Sequence, residues 1–468
     1  MKSKSEPTRD AFHFAVWAFA LAVFALGGLG RWQSLWQFHD LTPGKRVNLT
    51  FDEIVFLKLA GHLRSDPLDY ELRDWYRQLE RDGRAPPAYL NDPIFKHPPV
   101  VPWLLSSTFV PEAPGVLRSL LWMMLFGVGI TATVYGIART FLEPSWSALA
   151  AAFAWLDPFL WVGSVKVWLD LPLAFFCSVA VFAALRGRRY PPAFLWMGLA
   201  LGLAFLTKYV AIVPWIGLAW WGFVRDPHLR RNRCFQIGML IPWLMVAPWL
   251  AWCFKTSGGG WLNQPEAQYA IELIRRFALG GAVIAALIAI VWRTAPPKRS
   301  APDEPAWNGR LFLGALFALC LAGLLFFPSW FSGRVEPRSG FQVLTFGQEG
   351  REFYLGRILN LNPLLWPALL ALIWPKLPEP AGLARTIAIA VIAAFTLWGN
   401  FQSRYMMPAM PLLCVLSVWS LRDIAAYLRE EPDRWLARAW FAAWAGFAIL
   451  RLAWVHSTLS MPNQFTYF

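Results

Sequence analysis

The chain is 468 residues long, 57% hydrophobic and only 15% charged, with a formal net charge of +14. A soluble globule of that composition would expose far too much apolar surface, which leaves a polytopic membrane protein. Lys and Arg fall largely in short polar gaps between apolar runs, where they act as topology signals; no basic stripe or stacking platform suited to nucleic acid is present.

The first apolar run, about Phe12 to Leu29, follows "MKSKSEPTRD" without a clear small-residue cleavage site, so a retained first helix is expected over 12–30. Further apolar runs fall near 116–138, 146–165, 169–185, 191–207, 209–224, 235–253, 276–292, 310–327, 362–375, 384–400, 405–421 and 437–455. Together they predict an all-α membrane domain over 1–468 with about thirteen spans. A cytoplasmic N-terminus puts "RGRR" at 186–189, "RDPHLRRNR" at 225–233, "WRTAPPKRS" at 292–300 and "RDIAAYLREEPDRWLAR" at 422–438 on the cytoplasmic side. All four are short and rich in Arg or Lys, as the positive-inside rule requires. The opposite gaps are longer, 31–115 above all, then 254–275 and 328–361, and they hold most of the unusual residues. Function is therefore expected on the extracytoplasmic face. Cys177, Cys234, Cys253, Cys320 and Cys414 are scattered in or beside apolar runs and read as small core residues, neither a disulfide framework nor a metal site.

The long first loop, 31–115, is punctuated by Trp32, Trp36, Phe51, Phe56, Trp75, Tyr76, Tyr89 and Phe95 at amphipathic spacing, which predicts interfacial helices on the membrane. Within it, Phe56, Leu59, Ala60 and Leu63 share one helical face, and Lys58 and His62 the other. Thr50-Phe51-Asp52-Glu53 fits a capping box in which Glu53 reaches back to the Thr50 amide. That leaves Asp52 at the second helical position, where the helix dipole favours its ionised form. A carboxylate so placed can accept a proton from a hydroxyl as that hydroxyl attacks an electrophile. Lys96 and His97 precede Pro98 and Pro99, and the extended turn forced by the prolines holds both at the membrane rim, facing a cavity or head groups.

Later in the chain, Asp170, Lys208 and Arg404 stand at predicted outer helix ends, where an ionisable residue is costly unless it meets a partner or lines a wet cavity. For Asp170 the plain alternative is a salt bridge with Lys166 one turn earlier. Arg334, Arg338, Arg351, Tyr354 and Arg357 in the loop 328–361 carry no assigned catalytic role; a solvated loop accounts for them as well as a cover over a lipid entrance does.

"FDE" in the first extracytoplasmic loop and "HPP" before the second helix resemble the GT-C fold glycosyltransferases, in particular the protein O-mannosyltransferase and aminoarabinose (lipid A) transferase group. "SVKVWLDLPLAFF" (Ser164 to Phe176), "GLALGLAFLTKYVAIV" (Gly198 to Val213) and "NFQSRYMMPAMPLL" (Asn400 to Leu413) extend the resemblance from about residue 50 to 415. It implies a GT-C bundle that takes a sugar from a polyprenyl-phosphate carrier and passes it, with inversion, to a hydroxyl of a lipid A-like, glycan or protein acceptor. By resemblance Asp52 matches the general base and Glu53 the acid that follows it. Asp170 matches an acid that helps bind acceptor or shape the site, while Lys208, Arg404 and Tyr405 match groups near the carrier phosphate, with Lys96 and His97 among the substrate-binding residues. Lys96 and His97 stand where aminoarabinose transferases carry an acid and a lysine, which leaves a divalent metal an open question. The compact length and the Arg-rich gaps suit a bacterial inner-membrane enzyme. Two other readings stay open: a polyisoprenoid or small-molecule transporter, expected to place ionisable residues near mid-bilayer, and an O-antigen ligase-like enzyme, expected to use a large late loop.

Overall fold

The computed structural model describes residues 7–41, 47–108, 113–258, 354, 357–358, 361–374, 377–398, 402–430 and 435–459, and every regular element among them is helical. Helix α1 (Pro7–His39) runs past the expected 12–30, since Gly27, Gly28 and Gly30 do not end it, and stops before Asp40, whose φ of 42° is left-handed. Trp32 and Trp36 therefore ride on this helix, and the first loop begins after His39. In that loop α2 (Phe51–Ser65) and α3 (Arg73–Arg81) precede α4 (Val100–Thr108), which packs on α2. Leu59, Ala60 and Leu63 of α2 are buried, as their spacing predicts.

The apolar run expected as one span over 146–165 is two helices, α6 (Pro144–Leu156) and α7 (Pro158–Ser164), reached through α5 (Ala113–Ala138). Pro158 cannot continue the hydrogen-bond ladder, and Asp157 becomes the cap of the second helix, its Oδ1 accepting the Leu160 N–H at 2.9 Å. The other carboxylate oxygen accepts the Asn362 amide at 2.6 Å. Nearby, Arg31 of α1 donates to Ser164 Oγ at 2.8 Å and to the Trp155 carbonyl at 2.6 Å, with Trp155 and Trp161 lying over its guanidinium at 3.7 and 4.4 Å. Both charged residues are buried and well supplied with partners, which is what makes an ionisable group tolerable inside a bundle.

Helix α8 (Asp170–Gly187) is buried almost all round between α5 and α9 (Ala193–Phe205). The chain continues through α10 (Ile212–Trp220), a π turn to Arg225, the single turn α11 (Pro227–Arg230) and α12 (Arg233–Ser257). After the undescribed stretch come α13 (Trp366–Ile373), α14 (Glu379–Trp398), α15 (Met410–Glu430) and α16 (Trp435–Leu459). Helices α9 and α12 meet backbone to backbone: a Cβ on Gly198 would lie 2.3 Å from the Gly238 carbonyl, and one on Gly238 2.2 Å from that of Phe194. Close approach through small residues is how helices pack when lipid removes the hydrophobic drive between them.

The protein is an integral membrane protein. Five described helices are long and apolar enough to cross a bilayer, Phe14–His39, Gly115–Ala138, Asp170–Gly187, Arg233–Ser257 and Glu379–Thr396, with shorter apolar helices at Ala193–Phe205, Tyr209–Arg225 and Pro363–Ile373. The expected spans at 276–292 and 310–327 lie outside the described residues, as do Arg334, Arg338 and Arg351; of that later loop Tyr354 is buried and Arg357 half-buried. Helix α8, about 27 Å long at 1.5 Å per residue, separates two charged clusters. Beyond its last residue Arg188 bonds both Asp226 and Glu379, joining the Arg-rich gaps 186–189 and 225–233 to the start of α14; at its first residue Asp170 meets Lys208.

Candidate active site

Four elements deliver charged side chains to one place. Thr50 caps α2, and its backbone N–H and hydroxyl both donate to Glu53 Oε2, at 2.9 and 2.7 Å. The other Glu53 oxygen accepts the Val167 N–H at 3.1 Å, and Lys166 and His39 stand 3.9 and 3.6 Å from the carboxylate. Glu53 is thus fully enclosed and tied to the segment that leads into α8. Asp52, one residue earlier and so about 100° around the helix, points elsewhere. Its carboxylate pairs with the Arg404 guanidinium while keeping 26% of its side chain exposed.

Arg404 sits in a 3-10 turn, Ser403–Met406, just before α15. Its Nε donates to Gln402 Oε1 at 2.7 Å and lies 3.9 Å from Asp170 Oδ2, and its guanidinium faces the rings of Trp168 and Tyr405 at 5.4 and 5.9 Å. Asp170 receives a hydrogen bond of 2.6 Å from Lys208 Nζ. Lys208 falls in a break: α9 ends at Phe205, and Lys208 is extended before the 3-10 turn Tyr209–Ala211. Its ammonium lies 4.6 Å from the Tyr405 ring centroid, and that ring stacks on Phe395 at 5.1 Å. The result is an unbroken chain of alternating charge, Asp52, Arg404, Asp170, Lys208.

Lys96 and His97 complete the surroundings. Lys96 Nζ lies 3.2 Å over the Tyr89 ring, and the His97 ring meets Phe56 edge-on at 4.8 Å. Burial, joined by the neighbouring Lys96 charge and only partly offset by Asp52, holds the His97 imidazole well below its ordinary pKa, so it is neutral at pH 7. Its Nδ1 is buried without a hydrogen-bond partner among the described residues. For Asp52 burial pushes upward, but the Arg404 charge and hydrogen bond, helped by Lys96, outweigh it and hold the carboxyl below the usual range. Burial pulls the Arg404 guanidinium down, and Asp52 and Asp170 more than restore it, leaving it raised. Among the described residues no group of three or more His, Cys, Asp or Glu is arranged to hold a metal ion.

The structure therefore brings Asp52, Asp170, Lys208, Arg404 and Tyr405 together, sets Lys96 and His97 beside them, and turns Glu53 into the core behind them. Asp170 pairs with Lys208; Lys166, the partner considered from sequence, faces Glu53. Gln402 and Trp168 went unnoticed in the sequence, although both lie within two residues of an expected site residue.

Residues 96–252 match the family model of dolichyl-phosphate-mannose-protein mannosyltransferases. No curated protein matches by sequence. Among solved structures, the apo oligosaccharyltransferase of Archaeoglobus fulgidus superposes with a TM-score of 0.54 at 16% identity, over 95% of this chain and 57% of that one. The same archaeal enzyme, AglB, in complex with an inhibitory peptide and a dolichol-phosphate gives 0.53 at 13% identity, over 98% and 57%. ArnT from Cupriavidus metallidurans bound to undecaprenyl phosphate gives 0.49 at 18% identity, over 96% and 75%. This chain spans little more than half of the archaeal enzyme, and at these identities the likeness speaks for the fold. The protein has the GT-C fold, and the stretch from Lys96 to Trp252 within it carries the sequence pattern of the dolichyl-phosphate-mannose-protein mannosyltransferases.

Proposed function

We propose that the protein is an inverting glycosyltransferase that moves a sugar from a polyprenyl-phosphate carrier to a hydroxyl acceptor on the extracytoplasmic face. The observation that carries this reading is the Asp52, Arg404, Asp170, Lys208 chain at the outer end of α8. Asp52 takes the acceptor proton as the acceptor oxygen attacks the anomeric carbon; the bond from that carbon to the phosphate oxygen breaks, and the phosphate leaves with the electron pair. One displacement inverts the centre. Lys208 and Arg404 offer positive charge and donors to the departing phosphate, in a site where burial strengthens both. Lys96, the neutral His97 and Tyr405 border the same space. Asp170 holds Lys208 and Arg404 in place, and Glu53 fixes the start of α2 so that Asp52 faces the cluster.

Support for an extracytoplasmic site comes from the two ends of α8: at one, Arg188 joins the Arg-rich gaps 186–189 and 225–233, which the positive-inside rule assigns to the cytoplasm, and Asp170 stands at the other. A bacterial inner membrane suits this composition. The acceptor is a lipid A-like molecule, a glycan or a protein hydroxyl. The test is to incubate purified protein in nanodiscs with a panel of radiolabelled polyprenyl-phosphate sugars and a membrane extract as acceptor pool, with and without chelator. Label passing from a carrier into extractable lipid, glycan or protein supports the reading and names the acceptor class. Label retained on every carrier contradicts it.

A further inference from the structure

We infer that Tyr209 is a positioning residue whose phenol clamps the Lys96-His97 turn to the Lys208 break, setting the spacing of basic groups on two separate segments around the carrier phosphate. The inference rests on the carrier-dependent reading above. Tyr209 follows Lys208 directly and opens the 3-10 turn, so the two side chains share one short backbone segment. Its hydroxyl donates to the Phe95 carbonyl at 2.9 Å and accepts from Trp249 Nε1 of α12 at 2.8 Å. Phe95 in turn directly precedes Lys96. One phenol thus joins α12, the Lys208 segment and the Lys96-His97 turn.

The setting makes those two bonds consequential. The Phe95 ring meets Trp249 and Trp252 edge-on at 5.9 and 5.0 Å, and Tyr70 packs against the same rings at 4.9 Å from Trp249. Phenylalanine at 209 would serve that apolar packing equally well while leaving a carbonyl and an indole N–H unsatisfied among aromatic rings, the costly way to lose a hydrogen bond. Elsewhere the turn is anchored by Ile94 N–H to the Tyr70 carbonyl at 2.9 Å and Val100 N–H to the Leu206 carbonyl at 2.9 Å, and the Tyr209 hydroxyl adds a tie one residue before Lys96. Loosening it lets Lys96 and His97 drift relative to Lys208, and a displacement of about 1 Å in a positioned group is enough to cost orders of magnitude in a reaction.

The test uses the full-length protein in nanodiscs with undecaprenyl phosphate as probe. Tyr209→Phe is expected to weaken carrier binding about tenfold, and Trp249→Phe, which leaves the Tyr209 to Phe95 bond in place, about threefold. Combined with Lys208→Gln, Tyr209→Phe is expected to cost less than it does alone, a non-additivity that general loosening of the fold does not produce. Hydrogen exchange supplies a readout without ligand: amides 94–97 should exchange faster in Tyr209→Phe while those of α2 stay as in wild type. Wild-type binding together with unchanged protection at 94–97 overturns the clamp. Should Tyr209→Phe fail to fold, Tyr209→Met, which also removes the hydroxyl that bonds Phe95, decides in its place, wild-type affinity and unchanged protection at 94–97 there overturning the clamp equally. A wild-type protein that binds no undecaprenyl phosphate sinks the carrier reading instead, and exchange at 94–97 still judges the clamp.

Discussion

Replacing Arg404 by Gln should move the acidic limb of the pH-rate profile upward. In the wild type, Asp52 is subject to opposing influences: burial disfavours its charged form, while Arg404, with Lys96 adding less, favours it and prevails. Because the folded pKa is depressed, Asp52 stays ionised, and able to accept a proton, down to a pH below the ordinary carboxylate range. Removing the guanidinium leaves burial unopposed by its strongest counterweight. A neighbouring opposite charge lowers a carboxyl pKa by about 1 to 3 pH units. A pair of unit charges about 4 Å apart near a protein surface interacts by about 4 kcal/mol, which is compatible with the upper end of that range. Arg404→Gln should therefore raise the acidic limb of kcat/KM by about 1 to 3 pH units. Turnover should also fall, since the proposed mechanism gives Arg404 a part in stabilising the leaving phosphate, so the position of the limb is the readout and its height is not. The assay is transfer of label from the active carrier, measured from acid to neutral pH in both proteins, with thermal unfolding as a check that Asp170, still held by Lys208 at 2.6 Å, keeps the site assembled. A limb that stays at its wild-type pH would refute the reasoning, because Asp52 would then not be the group whose ionisation limits the rate.

Two further predictions concern the frame. Glu53→Gln removes the charge that faces the buried Lys166 at 3.9 Å and His39 at 3.6 Å. Breaking one partner out of a buried pair costs about 3 to 5 kcal/mol, so the midpoint of thermal unfolding in detergent should fall distinctly, and a midpoint equal to wild type would show that Glu53 does not anchor α2. Gly238→Ala places a methyl group 2.2 Å from the Phe194 carbonyl, a backbone atom that cannot swing aside. Helices α9 and α12 must separate, and overpacking of this kind costs about 1 to 3 kcal/mol; unchanged stability and carrier binding would show that the two backbones are not in contact.

Much of the site was legible in the sequence because its local logic is short-range. Thr50 and Glu53 stand at the spacing of a capping box, and that spacing forces Asp52, one position earlier, to a different face. The prolines at 98 and 99 likewise announce a turn that carries Lys96 and His97. What the sequence could not show is which charges meet, since Arg404 and Asp52 are 352 positions apart and nothing local selects one partner over another. The Lys166 to Asp170 pairing fails for a physical reason: it presumes a helix over 166–170, whereas α7 ends at Ser164 and α8 begins at Asp170, so the i, i+4 geometry is absent. Asp157 and Arg31 were hidden in the same way, one inside an apolar run that looks like a single span and the other just beyond an underestimated helix end. Tyr209 was masked by Lys208, the more conspicuous neighbour, because a hydroxyl that bridges to Phe95 and Trp249 leaves no mark on periodicity.

The most direct measurement is the rate of sugar transfer by Asp52→Asn, which keeps the shape of the side chain and a hydrogen bond toward Arg404 while abolishing its capacity as a base. General-base catalysis contributes about 10²- to 10⁴-fold, so turnover should fall by that order while carrier binding and unfolding temperature stay near wild type. An Asp52→Asn protein that transfers sugar at the wild-type rate would contradict the account at its centre.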